Sequence, residues 1–252
     1  MRYLATLLLA SLSHYCLAQT WQIAGDSQFE PYSYTQGHNM PAQGLDVELV
    51  EAILKEANID YELRLYPWER VKLLLEQSRI DMAFPFAGTP SRHNQYQLAG
   101  PLRSGSTVFM VSKELPLHDW QQFSDLQHYT IGQIRGYSYA QDYDSAPLTR
   151  NMNADTPQQL ISMLLAGRFE IIIGDRIQLL HLAQQQGVLN QVRILPTAVA
   201  QMPRFVAFEK TNQQSAQRFS QALENLRKSG RLQSIEQRWL ERHQPALEAS
   251  KL

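Results

Sequence analysis

Arg92 is the residue in this sequence whose type and position most directly suggest chemistry. Residues 80–84 form an apolar run typical of a buried strand, which Pro85, Gly88 and Pro90 are expected to break, leaving Arg92 in a loop. The planar guanidinium of an arginine can hold a carboxylate with two parallel hydrogen bonds. We therefore predict that Arg92 binds an anion, while a surface arginine or a structural ion pair remains the alternative.

The histidine, cysteine and acidic residues show neither a catalytic nor a metal-binding spacing. The histidines have no HxxxH pattern, and Cys16 is the single cysteine among 252 residues, so the sequence predicts no metal site and no cofactor. Asp26, Glu30 and Asp175 are acids that a general acid–base mechanism could use, but no paired constellation accompanies them. We therefore expect a binding protein and not an enzyme.

Composition narrows the possible partners. The formal net charge is -1, and no basic stripe is present, so nucleic acid is not expected as a partner. No apolar run reaches the roughly 18 residues that a membrane-spanning helix needs. The length fits one large domain or two lobes around a substantial core.

Residues 1–18 have the features of a cleavable secretory signal. Arg2 precedes a short apolar run, and Cys16 and Ala18 supply small residues at the -3 and -1 positions. A buried N-terminal helix and a lipid-bearing Cys16 are the alternatives. Cleavage after Ala18 would leave no cysteine, so the mature protein would fold in an oxidising compartment without a disulfide.

Strands and helices alternate through the first hundred residues. Strands are predicted at 21–25, 61–65 and 80–84, and amphipathic helices at 45–57 and after Trp68. This order predicts a parallel sheet wrapped by helices, whose ligands bind at the carboxyl ends of the strands. That edge should bring three loops together, at residues 26–29, 67–68 and 85–92.

The second half continues the α/β pattern. Strands are predicted at 106–111, 129–133, 169–173, 191–195 and 204–208. Thr156 and Pro157 predict a helix start, Gly167 its end, and a further helix follows Asp175. The tail from 213 to 242 is predicted to be helical, with an interruption near Gly230.

Several motifs, taken in order, resemble one family. They are FEPYSY, GLDVELVEAIL, SRIDMAFPFAGTPSRHNQYQLAGPL, IGQIRGYSYAQ, TPQQLISMLLAGRFEIIIGD and IEQRWL. Together they resemble the bacterial extracellular solute-binding proteins of family 3, the periplasmic receptors of polar amino acid uptake systems. The resemblance covers nearly all of the chain after residue 18.

The resemblance implies a periplasmic binding protein-like (type II) α/β fold, in which two lobes are joined by two crossing strands. Lobe 1 would comprise residues 19–108 and 203–252, and lobe 2 residues 109–202, with crossings near 108–111 and 203–208. It further implies a periplasmic monomer that captures an amino acid or organic acid for an inner-membrane ABC permease. A receptor that feeds a signalling partner, or a dehydratase or lyase on the same scaffold, remains an alternative.

The resemblance also implies roles for particular residues. Arg92 matches the arginine that grips the ligand α-carboxylate, and Asp175 matches the acid that takes the α-amino group. The remaining matches are an aromatic pair around the ligand side chain, a contact to its distal polar group and a hydroxyl near the carboxylate: Phe29 with Trp68, Asp26 and Ser138. An acid at a helix start is equally a good cap, and buried aromatics can be ordinary core.

The chain departs from the family pattern at positions that bear on the ligand. Pro85 and Ala87 stand where hydroxyl-bearing residues are common, so they offer only backbone contacts. Tyr137 is large enough to fill part of the pocket, and Arg135 would add a second cation nearby. These departures leave open whether the ligand is a standard amino acid.

Overall fold

A computed structural model describes residues 20–37 and 40–248, with side chains described as far as residue 242. The predicted signal segment, including Cys16, lies outside the described residues. The strands are β1 (Trp21–Asp26), β2 (Gln28–Phe29), β3 (Ser33–Tyr34), β4 (Tyr61–Tyr66), β5 (Met82–Ala87), β6 (Gln97–Ser112), β7 (Thr130–Gly132), β8 (Thr149–Asn151), β9 (Ile171–Asp175), β10 (Val192–Ile194) and β11 (Ala200–Phe208). The helices are α1 (Leu45–Glu56), α2 (Trp68–Glu76), α3 (Pro90–Gln95), α4 (Gln141–Ser145), α5 (Pro157–Leu165), α6 (Arg176–Gln185), α7 (Gln213–Lys228) and α8 (Arg231–Glu248).

Two long strands at the centre of the sheet connect its two halves. Antiparallel β6 and β11 pair from Thr107–Ala200 to Gln97–Phe208. On one side the order is β4-β1-β5-β11, and on the other β6 continues to β9, β7 and β8, with β10 also on β6. The parallel pairs β1–β4, β1–β5, β7–β8 and β7–β9 fit the strand–helix alternation.

The predicted α/β fold with two lobes and two crossing strands is confirmed. We call the part built on β1, β4, β5, α1, α2, α7 and α8 the first lobe, and the part built on β7, β8, β9, α4, α5 and α6 the second lobe. The boundaries at residues 108/109 and 202/203 stay a prediction, because both crossing strands run through them without a break.

The first lobe packs around α1 as its periodicity predicts. Leu45, Leu49, Val50, Ile53 and Leu54 all lie in the buried core.

The C-terminal tail is interrupted where expected, since α7 ends before Gly230, whose φ of 73° is favourable for glycine. No helix in the described ranges combines the length and apolar character needed to cross a membrane.

Two local expectations around Arg92 were wrong. Pro85 does not end its strand, because β5 continues to Ala87 and the register of its partner β11 shifts opposite this proline, which has no N–H to donate. Arg92 lies in the short helix α3 and not in a loop, since Thr89 and Pro90 form a helix start.

A buried ion pair ties α1 to the crossing strand β6. Arg103 donates to Asp46 through Nε at 2.6 Å and through Nη2 at 3.0 Å. The side chains are 5% and 0% exposed, and the guanidinium carbon lies 3.3 Å from the ring centre of Tyr32. The pair is therefore shielded from solvent and spans 57 residues of sequence.

Candidate functional site

The carboxyl ends of the first-lobe strands form one wall of a cavity between the lobes. β4, β1 and β5 are neighbours in the sheet, so the loops that follow them share an edge. The first-lobe side chains predicted for the site all line this cavity: Asp26, Phe29, Trp68, Ala87 and Arg92. From the second lobe come Tyr137, Ser138 and Asp175.

Tyr137 reaches from the second lobe into the cavity, between Phe29 and Trp68 of the first lobe. Its ring centre lies 6.3 Å from that of Phe29 and 6.4 Å from that of Trp68, nearly perpendicular to both. Its hydroxyl donates to Asp26 Oδ2 at 2.6 Å. The free volume that remains is only about 30 Å³, which suits roughly two water molecules. A larger molecule therefore requires Tyr137 to move or the lobes to open.

Asp26 is a buried acid with an unusual proton affinity. The residue is 2% exposed, and its Oδ1 accepts from the Gln28 backbone N–H at 2.9 Å. Burial raises the pKa of Asp26 from 3.8 to about 6, although the hydrogen bonds from Tyr137 and Gln28 and the charge of Arg204 oppose the rise. The carboxylate therefore remains in a poorly solvated setting at neutral pH.

Asp26→Asn is expected to stabilise the protein above pH 6 and to have little effect at pH 4. With its raised pKa, Asp26 binds its proton more tightly in the folded protein than in the unfolded chain. The free energy of unfolding therefore falls as pH rises through the window from 3.8 to about 6. A shift of about 2 units corresponds to about 3 kcal/mol. Urea unfolding at pH 4 and pH 7.5 tests this, and an equal difference at both pH values would contradict it.

Arg92 presents an unpaired donor to the cavity. The residue is 8% exposed, and its guanidinium carbon lies 4.9 Å from the ring centre of Phe86 and 5.6 Å from that of Trp68. Nη2 donates to the Gly136 carbonyl at 3.3 Å, whereas Nη1 is buried without a hydrogen-bond partner in the described residues. Burial lowers the pKa of Arg92, but a guanidinium stays charged at neutral pH. The side chain is thus a buried cation with free hydrogen-bonding capacity.

Asp175 serves as a helix cap and also faces the cavity. It ends β9, and its Oδ1 accepts from the backbone N–H groups of Ile177 and Gln178 at 3.1 and 3.2 Å. The same oxygen accepts from the Tyr32 hydroxyl at 3.1 Å. Oδ2 has no hydrogen-bond partner in the part of the chain that is described. The capping and binding interpretations are therefore compatible, because each uses a different oxygen.

Only some residues of the loop before α4 face the cavity. Arg135 is exposed and does not line the cavity, since the backbone turns at Gly136, where φ is 76°. Gly136 instead presents its carbonyl, which accepts from Trp68 Nε1 at 3.0 Å. Ser138 lines the cavity, with its hydroxyl 3.3 Å from Asp144 Oδ2. The second cation expected at Arg135 is not supplied from this loop.

Three further residues line the cavity and were not predicted from the sequence: Arg204, Gln178 and Tyr139. Arg204 lies in β11, 3.9 Å from Asp175 through Nη2, and its Nε is unpaired among the described residues. Gln178 donates to the Gln28 carbonyl at 2.9 Å and so links the lobes. One signal was available: Arg204 is a charged residue at the start of the otherwise apolar run RFVAF.

Two α/β lobes, two crossing strands and a polar cavity at the strand ends define a class of binding proteins that close on a small solute. The chain belongs to the bacterial extracellular solute-binding proteins, family 3, whose family model matches residues 21–242.

Individual relatives are distant. "Probable amino-acid-binding protein YxeM" of Bacillus subtilis (strain 168) is 21% identical over 86% of this chain and 82% of its own length. A histidine kinase sensor domain with similarity to periplasmic binding proteins superimposes with a TM-score of 0.78 at 20% identity, covering 88% of this chain and 96% of that domain. ArtJ of Geobacillus stearothermophilus, an arginine-, lysine-, histidine-binding protein, has a TM-score of 0.74 at 21% identity, with 88% and 96% covered.

Proposed function

We propose that this protein captures a small amino acid or related carboxylate between its lobes, in the periplasm, for ABC-type uptake. The observation that carries this proposal is the buried guanidinium of Arg92, whose Nη1 has no hydrogen-bond partner in residues 20–37 and 40–248 and which lines the same cavity as Asp175. A buried unpaired cation is costly, and a ligand carboxylate relieves that cost. The family membership supports binding over catalysis.

The charged groups supply only part of the affinity. Hydrogen bonds to ionised groups contribute about 1.5–3 kcal/mol net, so a grip by Arg92 and a second contact to Asp175 give about 3–6 kcal/mol. Micromolar binding needs about 8 kcal/mol. Burial of the ligand against Phe29 and Trp68, together with exclusion of water on closure, supplies the remainder.

Closure is stabilised by hydrogen bonds that connect the lobes. Trp68, Tyr32 and Gln178 each donate across the cavity, to Gly136, Asp175 and Gln28 respectively. A ligand can contact both lobes at once only in the closed form. Its binding therefore shifts the population toward that form. We infer that the ligand takes the place of the Tyr137 ring and breaks its hydrogen bond to Asp26.

A thermal-shift screen of the mature protein tests the proposed function. Amino acids, organic acids and polyamines are added singly, and at least one carboxylate is expected to raise the melting temperature. A ligand at 100 times its Kd stabilises the folded state by about 2.7 kcal/mol. No shift with any amino acid or carboxylate at millimolar concentration would reject the proposal.

A sensory role is the second candidate, and the similarity to a histidine kinase sensor domain favours it. The same closure would then be recognised by a signalling partner instead of a permease. The two candidates are distinguished by identifying the membrane protein that co-purifies with the ligand-bound protein. A permease as partner supports uptake, and a sensor kinase as partner supports signalling.

A further inference from the structure

We propose that the ligand is a carboxylate that carries an uncharged donor, such as a hydroxyl, where an α-amino acid carries its ammonium group, and that Arg204 sets this preference. The inference rests on the proposed function and narrows its ligand class.

Only one oxygen of Asp175 can contact a ligand. Oδ1 already accepts three hydrogen bonds, from Tyr32, Ile177 and Gln178. Oδ2 accepts none from the described residues. Any ligand group that reaches Asp175 therefore has to reach Oδ2.

A guanidinium already lies beside that oxygen. Arg204 Nη2 is 3.9 Å from Asp175 Oδ2, with the two side chains 12% and 1% exposed. The β6 backbone also approaches closely, because a Cβ on Gly105 would lie 2.4 Å from the same oxygen. Arg103 is also near, since the same Cβ would be 3.4 Å from its Nη1. Asp175 Oδ2 thus lies close to the β6 backbone and to the Arg204 guanidinium.

The position of Arg204 follows from the sheet. It is directly opposite Arg103 in the β6–β11 register. Arg103 is neutralised by its own partner, Asp46, which leaves Asp175 as the acid for Arg204. Asp26, the other acid in the cavity, is the residue matched to the distal polar group of the ligand. Displacement of Tyr137 leaves Asp26 Oδ1 bonded to the Gln28 backbone N–H.

This arrangement distinguishes an ammonium group from a hydroxyl group. An ammonium at Oδ2 would be buried within a few ångströms of a guanidinium, where repulsion is only weakly screened. A hydroxyl can donate to Oδ2 without adding charge. The ligand carboxylate can then accept from Arg92 Nη1 and Arg204 Nε, both buried donors without a partner in the described chain.

Matched pairs of ligands test the proposal on the mature protein. L-lactate is compared with L-alanine, and L-2-hydroxyglutarate with L-glutamate, by isothermal titration calorimetry. In the wild type at least one hydroxy acid is expected to bind tenfold or more tightly than its amino acid partner. In Arg204→Met the ratio should fall at least tenfold, because Oδ2 becomes free for an ammonium. Arg204→Lys keeps the charge and should restore the wild-type order.

The ratio within a pair separates this role from a structural one. General loss of stability would weaken both members, whereas removal of the cation changes their order. Arg64→Met, at an arginine whose side chain is 68% exposed, serves as the control and should leave the ratio unchanged. Tighter binding of the amino acids by the wild type, or an unchanged ratio in Arg204→Met, overturns the inference and leaves the proposed function standing. If no amino acid or carboxylate binds, both fail.

Discussion

Arg92→Met is expected to abolish ligand binding while the protein remains folded. A ligand carboxylate that enters the mutant cavity would be buried without its cationic partner. Removing one member of a buried ion pair costs about 3–5 kcal/mol. Since each 1.4 kcal/mol is a factor of ten, affinity should fall roughly 10²- to 10³-fold or more.

The fold should tolerate this change because few native contacts depend on the charge. The described contacts of the guanidinium are one hydrogen bond, to the Gly136 carbonyl, and stacking on aromatic rings such as Phe86. Methionine retains an apolar stem of similar length that packs on the same rings. Circular dichroism and melting without ligand check the fold, and calorimetry with any ligand from the screen checks binding.

Arg64→Met is again the matched control, because its side chain is 68% exposed and its ion pair with Glu62 is on the surface. It should bind ligand as the wild type does. Wild-type affinity in Arg92→Met would show that the carboxylate is held elsewhere.

Asp46→Asn is expected to cause the largest loss of stability among the changes considered. Asp46 is fully buried and accepts both hydrogen bonds from Arg103. The amide keeps the volume but leaves the guanidinium charge uncompensated, at a cost of about 3–5 kcal/mol. For a chain of this size the melting temperature should drop by about 2–4 °C for each kcal/mol.

The double variant Asp46→Asn/Arg103→Met distinguishes loss of the pair from loss of its packing. Without the guanidinium no unpaired charge remains, so the double variant should be more stable than Asp46→Asn alone. Urea unfolding of the wild type, the single variants and the double variant gives the coupling free energy. Additive effects would show that the pair contributes nothing beyond its separate side chains.

The fold and part of the site were predictable because they depend on local periodicity and chain order. The repeat of apolar residues from Leu45 to Leu54 requires a helix with one buried face, and the alternation of strands and helices requires a parallel sheet. In such a sheet the ends of neighbouring strands share an edge, so Asp26, Trp68 and Arg92 could be expected near one another before any coordinates existed.

The contacts of Arg204 and Tyr137 depend on which atoms meet across the cavity. The order of residues along the chain does not specify those contacts. Arg204 reaches Asp175 only because β11 pairs with β6 in one register, and Tyr137 enters the aromatic pair only because the lobes close. Arg135, two residues before Tyr137, is exposed to solvent. Long-range pairing and side-chain direction therefore decided which cation accompanies Arg92. The order of strands and helices had already placed Arg92 at the strand-end edge, although not in its helix.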